Sequence, residues 1–173
     1  GWTTRYGTHQ WDEATGVSEA GDVLHGGAGN DTLYGIAGTF YGDEGNDTIT
    51  VHPYASQTAY TVYGGDGDDF VSTEMWFTGT LLDGGLGYDR LRLHASLDSL
   101  VTTAGITGFE AIEITAKSLG LTLLDATAQA GSLLTIVINE FGGTFNGGAE
   151  SDAQLDLTIL ASLTSSPLTL IGG

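Results

Sequence analysis

The sequence contains no cysteine, so neither a disulfide framework nor a thiolate site is available to it. Cations are almost as scarce. Lys plus Arg number 4 against 22 Asp plus Glu, a formal net charge of -18. Such a chain repels nucleic acid and anionic membrane and invites divalent cations. No apolar run approaches the ~18 residues that a membrane span requires, and no signal peptide is visible at Gly1. Catalytic signatures are missing as well: there is no G-x-S-x-G elbow, no H-E-x-x-H helix and no phosphate-binding P-loop. The four histidines, His9, His25, His52 and His94, are scattered without zinc spacing. Carboxylates are plentiful enough for an acid–base pair to be imagined, but the aspartates follow a different pattern. The expectation is a chain that is not an enzyme. Its apolar fraction of 40% is enough for a core, and 173 residues make one ordinary domain or a short solenoid.

What is present is a repeat. Four stretches share a six-residue glycine-rich turn closed by Asp and followed by three residues with an apolar centre. The turns are Gly26-Gly27-Ala28-Gly29-Asn30-Asp31, Gly42-Asp43-Glu44-Gly45-Asn46-Asp47, Gly64-Gly65-Asp66-Gly67-Asp68-Asp69 and Gly84-Gly85-Leu86-Gly87-Tyr88-Asp89. Glycine supplies backbone conformations that a Cβ would forbid. The closing Asp31, Asp47, Asp69 and Asp89 supply carboxylate oxygens where the turn's carbonyls converge. Oxygen-only ligand sets suit Ca²⁺, which takes about 6–8 of them. The pattern is the calcium-binding nonapeptide G-G-x-G-x-D-x-U-x, and this region resembles the RTX family of secreted bacterial proteins. The second and fourth repeats depart from it, with Asp43 in place of a glycine and Tyr88 before the closing Asp; neither change removes a backbone carbonyl. A degenerate unit at residues 17–25 has lost the family glycines from its turn, Val17 to Gly21, and its Asp22 is not expected to bind an ion.

Spacing gives the architecture. The closing aspartates lie 16, 22 and 20 residues apart, where two nonapeptides per coil would give about 18. Each coil is therefore expected to place one calcium turn on one edge and a variable turn on the other. The variable turns are Gly35–Gly38, Val51–Ala59 and Thr73–Gly79. Between them run Thr39–Tyr41, Tyr60–Tyr63 and Thr80–Leu82 on one side, and Thr32–Tyr34, Thr48–Thr50 and Phe70–Ser72 on the other. The resulting fold class is all-β: a right-handed parallel β-roll or β-solenoid with stacked calcium turns on one edge, continuing into a metal-free β-rich C-terminal part. Four stacked turns sharing ions make about three Ca²⁺ sites. The expected segments are a cap or linker over 1–16, the calcium roll over 17–94 and a β-rich part over 95–173. In the last of these, Phe109–Thr115 alternates apolar and polar as a half-buried strand does. Leu119–Leu124, Leu133–Ile138, Leu155–Leu160 and Leu168–Ile171 are further strand candidates, and Ala126–Ala130 is at most one helical turn. Both a continuing solenoid, the favoured option, and a separate β-sandwich joined at Ala95–Leu100 fit these strands.

The resemblance carries functional expectations. RTX proteins leave the cell by type I secretion and fold in extracellular calcium. Without Ca²⁺, Asp31, Asp43, Asp47, Asp66, Asp68, Asp69, Asp83 and Asp89 repel one another, and binding free energy becomes folding free energy. Asp69→Asn is expected to weaken calcium-dependent folding more than Asp89→Asn, because Asp69 lies inside the row and Asp89 at its end. The Gly172-Gly173 ending repeats how each turn begins, so a segment cut from a longer protein ahead of another repeat block is expected. The overall layout is similar to that of bacterial S-layer proteins and large RTX adhesins, which implies a secreted or cell-surface location and self-association. The alternative is a polysaccharide-binding accessory module of a secreted RTX enzyme such as an alginate epimerase, protease or lipase. For that, Trp2, Tyr6, Trp11, Tyr54, Tyr60, Trp76 and Phe77, with Arg5 and His9, would form an exposed row for stacking sugars; the competing reading has the rings plugging the solenoid's end and padding its turns. No nucleic-acid partner and no membrane insertion are expected.

Overall fold

The computed structural model describes residues 4–6, 13–17, 21–53, 59–74, 79–95, 100–102, 104–116, 120–122, 133–139, 144–146, 154–160 and 169–171. Strands β1 (Thr4–Tyr6) and β2 (Glu13–Val17) precede the repeats. The repeat region comprises β3 (Val23–Ala28), β4 (Thr32–Gly35), β5 (Thr39–Glu44), β6 (Thr48–Val51), β7 (Thr61–Asp66), β8 (Phe70–Thr73), β9 (Leu81–Leu86) and β10 (Arg90–Ala95). After it come β11 (Leu100–Thr102), β12 (Ile106–Thr107), β13 (Ala111–Ala116), β14 (Gly120–Thr122), β15 (Leu133–Asn139), β16 (Thr144–Asn146), β17 (Gln154–Leu160) and β18 (Thr169–Ile171).

Among the described residues all the pairings are parallel, and through the repeats successive strands alternate between two sheets. One has the order β1-β3-β5-β7-β9-β12, the facing one β17-β15-β13-β10-β8-β6-β4-β2, and a third holds β11-β14-β16-β18. The chain therefore coils as an all-β parallel solenoid. Both repeat sheets show the same residue logic. Small or apolar residues at every second position face inward: Leu24, Phe40, Val62, Leu82 and Ile106 from one sheet meet Leu33, Ile49, Val71, Leu91, Ile112 and Ile136 from the other. In-register stacking lines each row up along the axis, so like side chains pack on like.

The repeats pass from one sheet to the other at residues 29–31, 45–47, 67–69 and 87–89, all on one edge. The opposite edge carries connections of unequal length, as the uneven aspartate spacing requires. The degenerate Asp22 precedes β3 and so lies on that opposite edge. Sheet strands near the turns are longer than expected: β5, β7 and β9 run to Glu44, Asp66 and Leu86 rather than stopping at Tyr41, Tyr63 and Leu82. The reason is pairing. Gly27, Asp43, Gly65 and Gly85 stay in the ladder as consecutive partners, so half of each glycine-rich turn is still strand. Beyond the repeats, β13, β15 and β17 extend the same sheet from β10.

Of the aromatics proposed to face sugars, Tyr60 is buried, its hydroxyl 2.5 Å from Thr73 Oγ1. It pads the core. Trp2, Trp11, Tyr54, Trp76, Phe77 and the Tyr6 side chain lie outside the described residues, as does the helical turn considered at Ala126–Ala130.

Candidate metal centre

The six residues of each turn do different jobs. The first glycines, Gly26, Gly42, Gly64 and Gly84, are buried and face inward. A Cβ on Gly26 would stand 2.6 Å from the Gly42 carbonyl oxygen and 2.8 Å from Asp31 Oδ2. The same crowding recurs up the stack, with each first glycine pressed by the next turn's first-glycine carbonyl and by its own turn's closing carboxylate. Only glycine brings those two oxygens together on one face.

The second position holds Gly27, Asp43, Gly65 and Gly85, all at positive φ. Asp43 is the one non-glycine residue there among the described residues, at φ 74°. Asp tolerates this region better than most residues. Its side chain turns to the outer face, where Asp43 Oδ2 lies 2.9 Å from His25 Nδ1. His25 in turn stacks on Tyr41, and Tyr41 on Tyr63, at centroid distances of 4.5 and 5.0 Å. Asp43 thus has a partner outside the row of closing aspartates.

The third and fifth positions carry exposed side chains and tie turns together. The Gly29, Gly45 and Gly67 N–H groups donate to the Glu44, Asp66 and Leu86 carbonyls of the next turn at 2.7–2.8 Å. Asn30 Oδ1 accepts from the Asn46 N–H at 2.9 Å, Asn46 Oδ1 from Asp68 at 3.1 Å, and Asp68 Oδ1 from Tyr88 at 2.9 Å. Asn30, Asn46 and Asp68 therefore form a side-chain ladder that ends at Tyr88, whose ring has no such acceptor.

The closing aspartates form a second ladder of opposite direction. Asp47 Oδ1 accepts from the Asp31 N–H at 2.7 Å, Asp69 Oδ1 from Asp47 at 2.7 Å, and Asp89 Oδ1 from Asp69 at 2.8 Å. All four are at most 2% exposed. In Asp47, Asp69 and Asp89 the second oxygen, Oδ2, is buried without a hydrogen bond. A buried carboxylate with an orphan oxygen is costly unless it gains a proton or a cation. Burial pushes the Asp47 carboxyl up to about 7; the Asp31 N–H opposes this, and the charges of Asp69, Asp31 and Asp43 add to it. Burial likewise raises Asp89 to about 7, opposed by the Asp69 N–H and reinforced by Asp69, Glu110 and Asp68. Asp69 is raised for the same first reason.

The stability of the metal-free roll should follow from these shifts. An unfolded chain releases the aspartate protons near pH 3.9, whereas the folded chain holds those of Asp47 and Asp89 to about 7. Between these limits the native state binds more protons, so its stability falls as pH rises through the window and the loss is complete above it. In chelator the chain should be more compact, by hydrodynamic radius, at about pH 4.5 than at about pH 8. Compaction that grows with pH would contradict the buried placement of these carboxyls.

One residue of the ladder escaped the sequence analysis. Glu110 Oε2 accepts the Asp89 N–H at 2.8 Å, continuing the aspartate row by one step. Its signal was there: Glu110 follows Asp89 by 21 residues, within the range of the earlier spacings. Among the described residues, no three His, Asp or Glu side chains converge as a metal cluster. The donor set on the turn edge is instead one carboxylate per turn with backbone carbonyls. That mixture of hard oxygens fits Ca²⁺.

A comparison with curated proteins and with solved structures found no match. Residues 18–49 and 61–74 match the family model of the RTX calcium-binding nonapeptide repeat, in four copies. The match includes the degenerate unit and the first three turns, and the fourth turn joins them by geometry, since Asp89 repeats the bonding and burial of Asp47 and Asp69. RTX repeats are non-catalytic calcium-binding modules found in secreted bacterial proteins. No helix among the described residues is long and apolar enough to cross a membrane. Over residues 18–49 and 61–74 the chain thus carries RTX calcium-binding nonapeptide repeats, and the parallel solenoid that they build is similar to the β-roll of that family.

Proposed function

We propose that this chain is a calcium-gated folding module of a cell-surface protein, of the S-layer or adhesin kind. The observation that carries the reading is the row of buried aspartates whose Oδ2 atoms have no hydrogen bond in Asp47, Asp69 and Asp89. Asp31, Asp47, Asp69 and Asp89, with the backbone carbonyls of the turns Gly26–Asn30, Gly42–Asn46, Gly64–Asp68 and Gly84–Tyr88, would hold the ions. Bound Ca²⁺ supplies positive charge between coils. Without it, buried like charges oppose stacking, and the glycine-rich turns are entropically costly to order. With it, binding free energy adds to folding free energy. Modules of this kind outside the cell respond at roughly 10⁻⁴–10⁻³ M Ca²⁺, so the chain stays extended before export and stiffens afterwards.

Self-association is the partner interaction favoured here. Polysaccharide binding by an exposed aromatic row loses one of its members, because Tyr60 is core. The test is hydrodynamic radius under Ca²⁺ titration, with Mg²⁺ as control. The expected result is collapse from coil-like to compact size with Ca²⁺ alone, then growth at higher Ca²⁺ as copies associate. A radius indifferent to Ca²⁺ would sink the proposal; saturable glycan binding by a compact monomer would favour the accessory-module reading.

A further inference from the structure

The row of turns continues past the last nonapeptide. Between β12 and β13 the chain turns the corner with Gly108-Phe109-Glu110, three residues where each repeat uses six. Strand register places these residues on the repeat's scale. Thr107 pairs with Asp83 and Ala111 with Arg90, so Gly108 stands level with Gly84 and Glu110 with Asp89. Phe109 is fully buried and anchors the corner.

The atoms that matter in the repeats recur here. The Gly108 carbonyl oxygen crowds the inward face of Gly84, as the Gly84 carbonyl crowds Gly64 and the Gly64 carbonyl crowds Gly42. Asp89 Oδ2 comes to the same face, 2.8 Å from where a Cβ on Gly84 would sit. Glu110 Oε2 accepts the Asp89 N–H at 2.8 Å, just as Asp89 Oδ1 accepts the Asp69 N–H. Glutamate's extra methylene lets it reach from a corner that has lost the three-residue tip of the turn. Asp89 is fully buried, and its Oδ2 has no hydrogen bond.

We infer that the Gly84–Asp89 turn and the Gly108–Glu110 corner hold one further divalent cation, Ca²⁺, with Glu110 standing in for the aspartate of a fifth repeat. This rests on the calcium reading of the repeats, and it extends the row beyond the sites that four turns define. A cation there balances two carboxylates buried on successive coils and occupies the position that Asp89 Oδ2 faces. The competing role for Glu110 is an end-cap that merely satisfies the Asp89 N–H.

Glu110→Gln separates the two, because its amide oxygen still accepts the N–H while the charge is gone. Native mass spectrometry of the full chain at saturating Ca²⁺ should show the variant with one ion fewer than the wild type, the remaining ions retained. A crystal of the wild-type chain grown in Ca²⁺ should show an anomalous peak between Asp89, Gly108 and Glu110; this second measurement decides the matter if the variant does not fold. Equal ion counts, or density there without anomalous signal, would overturn the inference and leave the repeat sites standing. A wild-type chain that binds no Ca²⁺ at all would instead bring down the calcium reading itself.

Discussion

Asp69→Asn is expected to move the two stabilities of this roll in opposite directions, raising that of the metal-free chain and lowering that of the calcium-loaded one. Asp69 is 1% exposed, its Oδ1 accepts the Asp47 N–H, and its Oδ2 has no hydrogen bond. Asn keeps the Oδ1 acceptor. It replaces the orphan oxygen with an N–H₂ beside Gly64, whose inward face is also crowded by the Gly84 carbonyl, and that carbonyl can accept from it. The substitution also removes a charge that burial and its acidic neighbours penalise. Relief of an unsatisfied buried group is worth about 1–3 kcal/mol. In the presence of Ca²⁺ the balance reverses, because an amide oxygen is a weaker partner for a divalent cation than a carboxylate. The Ca²⁺ midpoint for folding should rise roughly tenfold, about 1.4 kcal/mol. Folding driven by a protecting osmolyte in chelator, and urea unfolding at saturating Ca²⁺, read the two arms. Loss of stability in both conditions would mean that the Asp69 charge is not what the cation uses.

Sequence spacing alone ranks Asp89→Asn as milder, since Asp89 closes the last nonapeptide. The further cation inferred beside Glu110 would remove that distinction. Gly108 and Glu110 stack on the fourth turn as the fourth stacks on the third, so Asp89→Asn should show the same split at similar size. The contrast shows where the sequence was legible. A six-residue turn with Asp at a fixed place, returning at intervals too uneven for two calcium turns per coil, was enough to put the turns on one edge and the strands between them. Alternation along residues 32–34, 48–50 and 70–72 was enough to pick the inward side chains. Those are local patterns.

Relations set by register were harder to see. Glu110 belongs by alternation to the strand expected over Phe109–Thr115, and only the pairing of Ala111 with Arg90 sets it level with Asp89. Asp43 reads as one more acid in the row, yet positive φ at the second turn position aims it outward to His25, a neighbour one coil away. Tyr60 reads as the first residue of a strand beside a variable turn, and its place opposite Thr73 appears only when the coil closes. In each case the deciding partner is 13–21 residues distant, beyond the reach of any periodicity within a single turn.

The largest loss is expected from adding one methyl group at Gly67. Its φ is +132°, which side chains rarely adopt, and a Cβ there would overlap the carbonyl oxygen of Gly45 in the preceding turn. The obstruction is backbone, so no rotamer change relieves it. Separating the two turns would also break the bonds that hold them, including Gly45 N–H to the Asp66 carbonyl at 2.8 Å and Asp68 N–H to Asn46 Oδ1 at 3.1 Å. Gly79 supplies the control. It has φ +92°, but among the described residues a Cβ there would meet only the Ala59 methyl, at 3.5 Å. Gly79→Ala therefore adds backbone strain alone, about 1–2 kcal/mol, and should still collapse with Ca²⁺ at a raised midpoint. Gly67→Ala adds strain and a backbone clash in the middle of the row, a loss of about 4 kcal/mol or more. That is a large share of the roughly 5–15 kcal/mol that stabilises an ordinary domain. Hydrodynamic radius at saturating Ca²⁺ should stay coil-like for Gly67→Ala and become compact for Gly79→Ala. If the two variants collapse at the same Ca²⁺ concentration, the turns are not stacked closely enough for the Gly45 carbonyl to exclude a side chain, and the shared sites between coils lose their geometric basis.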